Sequence, residues 1–241
     1  MFDNKRFDDL QWGNLKIIQS SDHFCFGTDS VLLSHFIECR DNDLIYDIGS
    51  GTGILTILLG GKNPTARVIG IEIQKDLYYM SMESKRINGL DNIDFLNMDI
   101  KDVDNSFEKA SVIICNPPYE KIDSGIMPEN DSSRIARYEV CVNFEDIVKA
   151  SKKLLLNKGK FYFIHKSDRI EEVFSVLVKH GFHTKKLRMI YSDISSDSRL
   201  FMACAQRDSK PGMKVLNPLI IHNENGEYTD ELKEIYEPYI P

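Results

Sequence analysis

Between Leu44 and Phe163 short apolar runs alternate with stretches of helical character, a rhythm that restricts the chain to βα units around a parallel sheet. Four runs read as buried strands: Leu44 to Ile48, Arg67 to Glu72, Asn92 to Leu96 and Ser111 to Cys115. Helices are predicted over Ile54 to Leu59, Lys75 to Asn88 and Phe144 to Leu156, after which Asn157-Lys158-Gly159 turns the chain into a fifth strand, Lys160 to Ile164. Arg169 to His180 reads as a helix stopped by Gly181, and Lys186 to Tyr191 and Leu200 to Gln206 as paired terminal strands. Upstream, Leu15 to Gln19 is a predicted strand and Ser30 to Ile37 a helix, for which Thr28-Asp29 would serve as the N-cap. The polar segment Glu120 to Glu139 is expected to be a long loop. A chain of 241 residues with 42% hydrophobic residues is long enough for one main domain with a full core.

The junction of the first strand and its helix carries Asp47-Ile48-Gly49-Ser50-Gly51-Thr52-Gly53. Ligands of open α/β sheets bind at such carboxyl ends of strands, and glycines let the backbone approach a ligand where a Cβ would collide. Dinucleotide loops follow Gly-x-Gly-x-x-Gly. Here Gly49, Gly51 and Gly53 alternate instead, which resembles the loop of S-adenosylmethionine enzymes and favours a sulfonium cofactor over NAD. Glu72 closes the next strand, where an acid can hydrogen-bond both hydroxyls of a ribose. Asp99, after the third strand, would accept from the cofactor's adenine amino group, or else form an Asx-type turn or cap.

The fourth strand runs directly into Asn116-Pro117-Pro118-Tyr119. An exocyclic amino group on a planar ring is a poor nucleophile because its lone pair is delocalised into the ring. Acceptance of its two N–H bonds by the Asn116 side-chain oxygen and the Pro117 carbonyl would favour a pyramidal nitrogen with its lone pair aimed at an incoming methyl group. The prolines stiffen the backbone and offer no competing N–H, so both acceptors stand ready before a substrate arrives. Tyr119 would supply a flat face for stacking. A strand ending in a Pro-Pro turn with a surface tyrosine is the competing reading of this tetrapeptide alone.

A formal charge of −7 argues against indiscriminate coating of nucleic acid. Lys149 to Arg188 nevertheless holds eleven Lys/Arg against three acids, a local net of +8 that could steer a phosphate backbone, although each lysine alone fits a solvated helix face. The five cysteines, Cys25, Cys39, Cys115, Cys141 and Cys204, are scattered and odd in number, and no Cys/His spacing suggests a metal site. His165, His180 and His183 are isolated and receive no catalytic role. The polar start and the lack of a long apolar run lead to the expectation of a cytoplasmic protein without a membrane partner.

Taken in order, the glycine loop, Glu72, Asp99 and Asn116 to Tyr119 resemble a Rossmann-like methyltransferase of the amino-methylating type that uses S-adenosyl-L-methionine. Ile17 to Asp29, Gly70 to Gln74, Ala136 to Glu139 and Asn217 to Ile221 are further similar to the bacterial family that methylates the N(6) amine of the adenine next to the anticodon of a valine tRNA. The resemblance spans nearly the whole chain. It implies an α/β fold with a seven-stranded, mostly parallel sheet, an antiparallel last strand and helices on both faces. It also implies a single domain over residues 1–241 whose residues 1–40 form an N-terminal extension covering the cofactor, and it assigns Gly27, Thr28 and Asp29 to the cofactor site. With Asp47, Gly49, Gly51, Gly53, Glu72, Asp99 and Asn116 these complete the expected cofactor-binding set, while Asn116, Pro117 and Tyr119 are the expected catalytic residues. Related tetrapeptides serve guanine N(2) in ribosomal RNA and glutamine amides of proteins, so tRNA adenine ranks first among three acceptors. A non-catalytic cofactor or RNA binder ranks last.

Overall fold

The computed structural model describes residues 5–10, 12–20, 28–117 and 143–236. Its centre is a sheet in which β3 (Leu44–Ile48), β4 (Arg67–Glu72), β5 (Ile93–Asn97), β6 (Ala110–Cys115) and the first part of the path beyond it, β7 (Leu155–Lys166), run parallel. The expected terminal pair is β8 (Phe182–Tyr191) and β9 (Ser198–Arg207); β9 inserts antiparallel between β7 and β8. The seven long strands thus lie in the order β8-β9-β7-β6-β3-β4-β5, mostly parallel with an antiparallel last long strand. Two short strands, β10 (Lys214–Val215) and β11 (Leu219–Ile220), pair in parallel with the outer edge of β8 and widen the expected seven-stranded sheet to nine. Two-residue strands leave no periodic trace in a sequence.

Helices cover both faces. Beneath one lie α1 (Thr28–Phe36), α2 (Ile54–Lys62), α3 (Lys75–Asn88) and α6 (Asp230–Tyr236), packed with Ile45, Val112, Ile114, Tyr162 and Ile164 of the sheet. Against the other lie α4 (Phe144–Leu154) and α5 (Ile170–Lys179), over Tyr46, Ile48, Ile113, Phe161 and Phe163. The two sets alternate along β6 and β7 because successive side chains on a strand point to opposite faces. Both faces being buried, these strands read as continuous apolar runs.

Several local features follow from single residues. Asn143 caps α4 by accepting the Asp146 N–H at 2.9 Å. Gly89, at φ 61°, ends α3, and Gly181, at φ 83°, follows α5. The predicted turn before the fifth strand is a kink inside β7: Lys158 sits at φ 63°, and the register with β6 shifts between Ala110 and Val112. The N-terminal extension starts with an antiparallel hairpin of β1 (Lys5–Asp9) and β2 (Lys16–Ser20). It docks on α3, where the Ile18 N–H donates to Ser84 Oγ at 2.9 Å and the Lys16 N–H to Asn88 Oδ1 at 2.8 Å. Gly27, Pro118, Tyr119 and the expected loop Glu120 to Glu139 lie outside the described residues.

The basic stretch is not one surface. Lys160 and Lys186 both pair with Glu38, Lys149 and Lys179 with Glu145, Arg188 with Glu231 and Arg169 with Glu172. Lys153, Lys158 and Lys185 donate to the main-chain carbonyls of Val103, Asp208 and Lys210. Much of the local excess is therefore met by acids that the sequence places outside the stretch.

Candidate active site

The strand order reverses between β3 and β6, since β3 continues to β4 on one side while β6 begins the other half. Crevices at such reversals, outside the carboxyl ends of the strands, are where open α/β sheets take ligands. Asp47 of β3 pairs with Ile114 of β6, so Gly49 and Asn116 leave the sheet at the same level of neighbouring strands. A cleft opens there, lined by Ile48, Gly49, Ile71, Ile73, Met98 and Ile100 together with Asn116, Pro117 and Ile147.

The glycine loop is held from below. The N–H groups of Gly49 and Ser50 donate to the Ile71 carbonyl at 2.9 and 3.1 Å, and the Gly53 N–H to the Ser50 carbonyl at 2.8 Å. Gly49, Gly51 and Gly53 have φ of 72°, 57° and 91°, a left-handed region that side chains disfavour. The reasons for glycine differ along the loop. A Cβ at Gly53 would stand 2.7 Å from Phe95 Cζ, whereas one at Gly51 would meet nothing within 4 Å. Position 51 thus keeps open space beside a cleft, as a backbone that receives a ligand closely would.

Glu72 is buried at the end of β4. Its Oε2 accepts the Gly51 N–H at 2.9 Å and its Oε1 the Gln74 N–H at 2.7 Å, so the carboxylate ties the loop after β3 to the turn after β4. Asp47 lies under α2, where Thr56 Oγ1 donates to its Oδ2 at 2.8 Å while Oδ1 is buried with no hydrogen-bond partner among the described residues. Burial raises the Asp47 carboxyl to about 7, with nearby Glu72 adding in the same direction and the Thr56 hydrogen bonds opposing. Asp99 follows β5 and caps the short 3-10 turn Ile100–Asp102 by accepting the Lys101 N–H at 2.9 Å. Its flanking residues Met98 and Ile100 line the cleft.

Asn116 is half-buried, and its Nδ2 donates to Ser30 Oγ of α1 at 3.0 Å. Pro117 is buried beside it. Thr28 and Asp29 are the first two residues of α1, within the helix where the sequence suggested a cap preceding it. α1 packs against α6. His165, at the end of β7, is buried between Phe144 and Phe201 with its Nδ1 accepting the Lys166 N–H at 2.9 Å. Burial, with the Arg169 charge, lowers its imidazole to about 4. Sequence reasoning missed Ser30, Ile73 and Ile147; Ser30 stood next to the Thr28-Asp29 pair and carried no signal beyond helix propensity.

Apolar walls, a backbone left open at Gly51, buried Glu72 at the end of β4 and half-buried Asp99 after β5 fit an adenosine-bearing sulfonium. Among the described residues no cluster of three His, Cys, Asp or Glu could hold a metal ion, and no helix is long and apolar enough to cross a membrane.

The methyltransferase small domain family matches residues 13–184, more than half of the chain. A curated relative named tRNA1(Val) (adenine(37)-N6)-methyltransferase, from Dyadobacter fermentans, is 26% identical over 201 residues, covering 83% of this chain and 82% of that protein. A second relative of the same name, from Aliivibrio salmonicida, is 27% identical over 205 residues, covering 84% and 85%. Among solved structures, a predicted O-methyltransferase from Agrobacterium tumefaciens superposes with a TM-score of 0.67 at 17% identity, over 88% of this chain and 98% of that one, a likeness of fold. With its reversal-point cleft, alternating glycines and proline-stiffened strand end, the chain belongs to the methyltransferase small domain family.

Proposed function

We propose that the chain is an S-adenosyl-L-methionine-dependent N-methyltransferase acting on the exocyclic N(6) amine of an adenine in tRNA, next to the anticodon of a valine tRNA. The observation that carries the reading is the placement of Asn116 level with Gly49 on the adjoining strand, both lining one cleft. The names of the relatives support the choice of acceptor.

When bound, the cofactor supplies a methyl group on a sulfonium centre, which makes that carbon electrophilic. Gly49, Gly51 and Gly53 would face it with backbone, Glu72 and Asp99 would stand toward its ribose and adenine, and Ile73, Met98 and Ile100 would exclude water from the ring. The Asn116 Oδ1 and the Pro117 carbonyl accept the N–H bonds of the target amine and so hold its lone pair toward the cleft. Tyr119, outside the described residues, is assigned the role of stacking on the base. A strong general base is unnecessary, because the nitrogen becomes acidic once alkylated and its proton passes to water. Alignment and fixed dipoles carry the rate.

The test is nucleoside mass spectrometry of tRNA from a deletion strain, alone or complemented with wild type or Asn116→Ala. Loss of N(6)-methyladenosine restored by wild type alone is expected. In a parallel assay with labelled cofactor, label in ribosomal RNA guanine or in protein glutamine would replace the acceptor, and no label anywhere would leave a cofactor binder.

A further inference from the structure

We infer that Ser30 is a positioning residue that holds the Asn116 amide in place at the cleft, accepting from its nitrogen end while the oxygen end meets the target amine. This rests on the amine-methylating reading above. A primary amide has an oxygen end and a nitrogen end of nearly the same size, so a half-turn about its last bond changes its chemistry with little change in shape. One orientation offers an acceptor to a substrate N–H. The other sets two donors against two donors.

The structure ties the nitrogen end down. Asn116 Nδ2 donates to Ser30 Oγ at 3.0 Å across 86 residues of sequence. Ser30 is only 4% exposed, on a helix whose next turn buries Leu32 and Leu33 almost completely, so the hydroxyl is a fixed post. The same helix packs against α6. With Nδ2 engaged by α1, the oxygen lies across the amide carbon from Ser30, on an asparagine that lines the cleft. This orientation pairs both ends when a substrate amine donates to Oδ1, with the Ser30 hydroxyl, which can accept or donate, acting as acceptor. Ser30 itself touches neither substrate nor cofactor in this scheme and acts through Asn116.

The experiment is a double-mutant cycle of Ser30→Ala and Asn116→Ala, with Ser30→Thr as the variant that keeps a hydroxyl. Steady-state methylation of tRNA is measured alongside S-adenosylhomocysteine affinity and melting temperature. Ser30→Ala should lower kcat by about ten- to a hundredfold, the range seen when a supporting partner of a site residue is lost. Inhibitor affinity should stay within about threefold, Ser30→Thr should recover a substantial part of kcat, and Ser30→Ala should add little in the Asn116→Ala background, because coupled residues do not add. The inference is overturned by a Ser30→Ala enzyme with wild-type kcat, by a parallel fall of inhibitor affinity and melting temperature, or by independent effects of the two substitutions. Wild type separates this inference from the reading beneath it. If it methylates protein glutamine, the cycle is read on that amide; if it methylates nothing, both fall together.

Discussion

The carboxylate of Glu72 accepts the main-chain N–H of Gly51 at 2.9 Å, joining two residues 21 positions apart at the ends of neighbouring strands. The bond makes the glycine loop and the turn after β4 one rigid unit, because the second carboxylate oxygen holds the Gln74 N–H. Charge-assisted bonds to a carboxylate are the strong ones, and removing a buried acceptor strands its donors. Glu72→Ala should therefore weaken S-adenosylhomocysteine binding by more than about tenfold and cost on the order of 1–3 kcal/mol of stability. Titration calorimetry and denaturant melts check both. Unchanged affinity would confine Glu72 to bracing the loop.

Gly51 and Gly53 separate a ligand requirement from a packing requirement. Both have positive φ, but only at Gly53 would a Cβ collide, with Phe95 Cζ at 2.7 Å. Gly53→Ala should destabilise the fold by roughly 2–4 kcal/mol, from backbone strain plus the clash. Gly51→Ala should cost about 1 kcal/mol in the free protein yet weaken cofactor binding at least about tenfold, because its new methyl enters the space that the ligand needs. Equal stability losses without an affinity difference would contradict the assignment of the open side to a ligand.

Asp47 predicts a pH dependence. Its carboxyl rises from 3.8 to about 7 on folding, chiefly through burial, so between these values the unfolded chain has released a proton that the folded chain keeps. The corresponding stability is present in full below about pH 4 and is lost as pH climbs to about 7. In Asp47→Asn this contribution disappears. The difference in unfolding free energy between variant and wild type should shift in the variant's favour by on the order of 4 kcal/mol from pH 4 to pH 8. Denaturant melts at several pH values would show it, and parallel profiles would refute it.

The pairing of Lys160 and Lys186 with Glu38 bears on how RNA is held. Lys160 lies near the middle of β7, and Lys160 and Lys186 share one acid. The double change Lys160→Ala and Lys186→Ala should leave the salt dependence of tRNA binding unaltered, whereas each lost phosphate contact would reduce the log-log slope by about 1. Filter binding at several salt concentrations measures the slope, and a drop of about 2 would place both lysines on the backbone of the RNA.

What could be read from the order of residues was whatever depends on neighbours in the chain. Lys75 to Asn88 was legible to its end residues because an amphipathic period and a following Gly89 are local signals. The βα succession, the alternating glycines and Asn116-Pro117 were visible for the same reason, each being a short pattern with its own stereochemistry. The short strands β10 and β11, the hairpin strand β1 and helix α6 had no such pattern and exist through what they pack against. The basic stretch looked like a field because acids 43 to 148 residues away in sequence were not yet beside it; Glu38 and Glu231 arrive only with folding. Sequence alone determined which groups could perform the chemistry. The tertiary structure decided that β3 and β6 lie side by side, that Glu72 reaches Gly51 and that Ser30 reaches Asn116. Those pairings join residues far apart along the chain, and their geometry is set by the sheet order and by burial of both its faces, which no local stretch encodes.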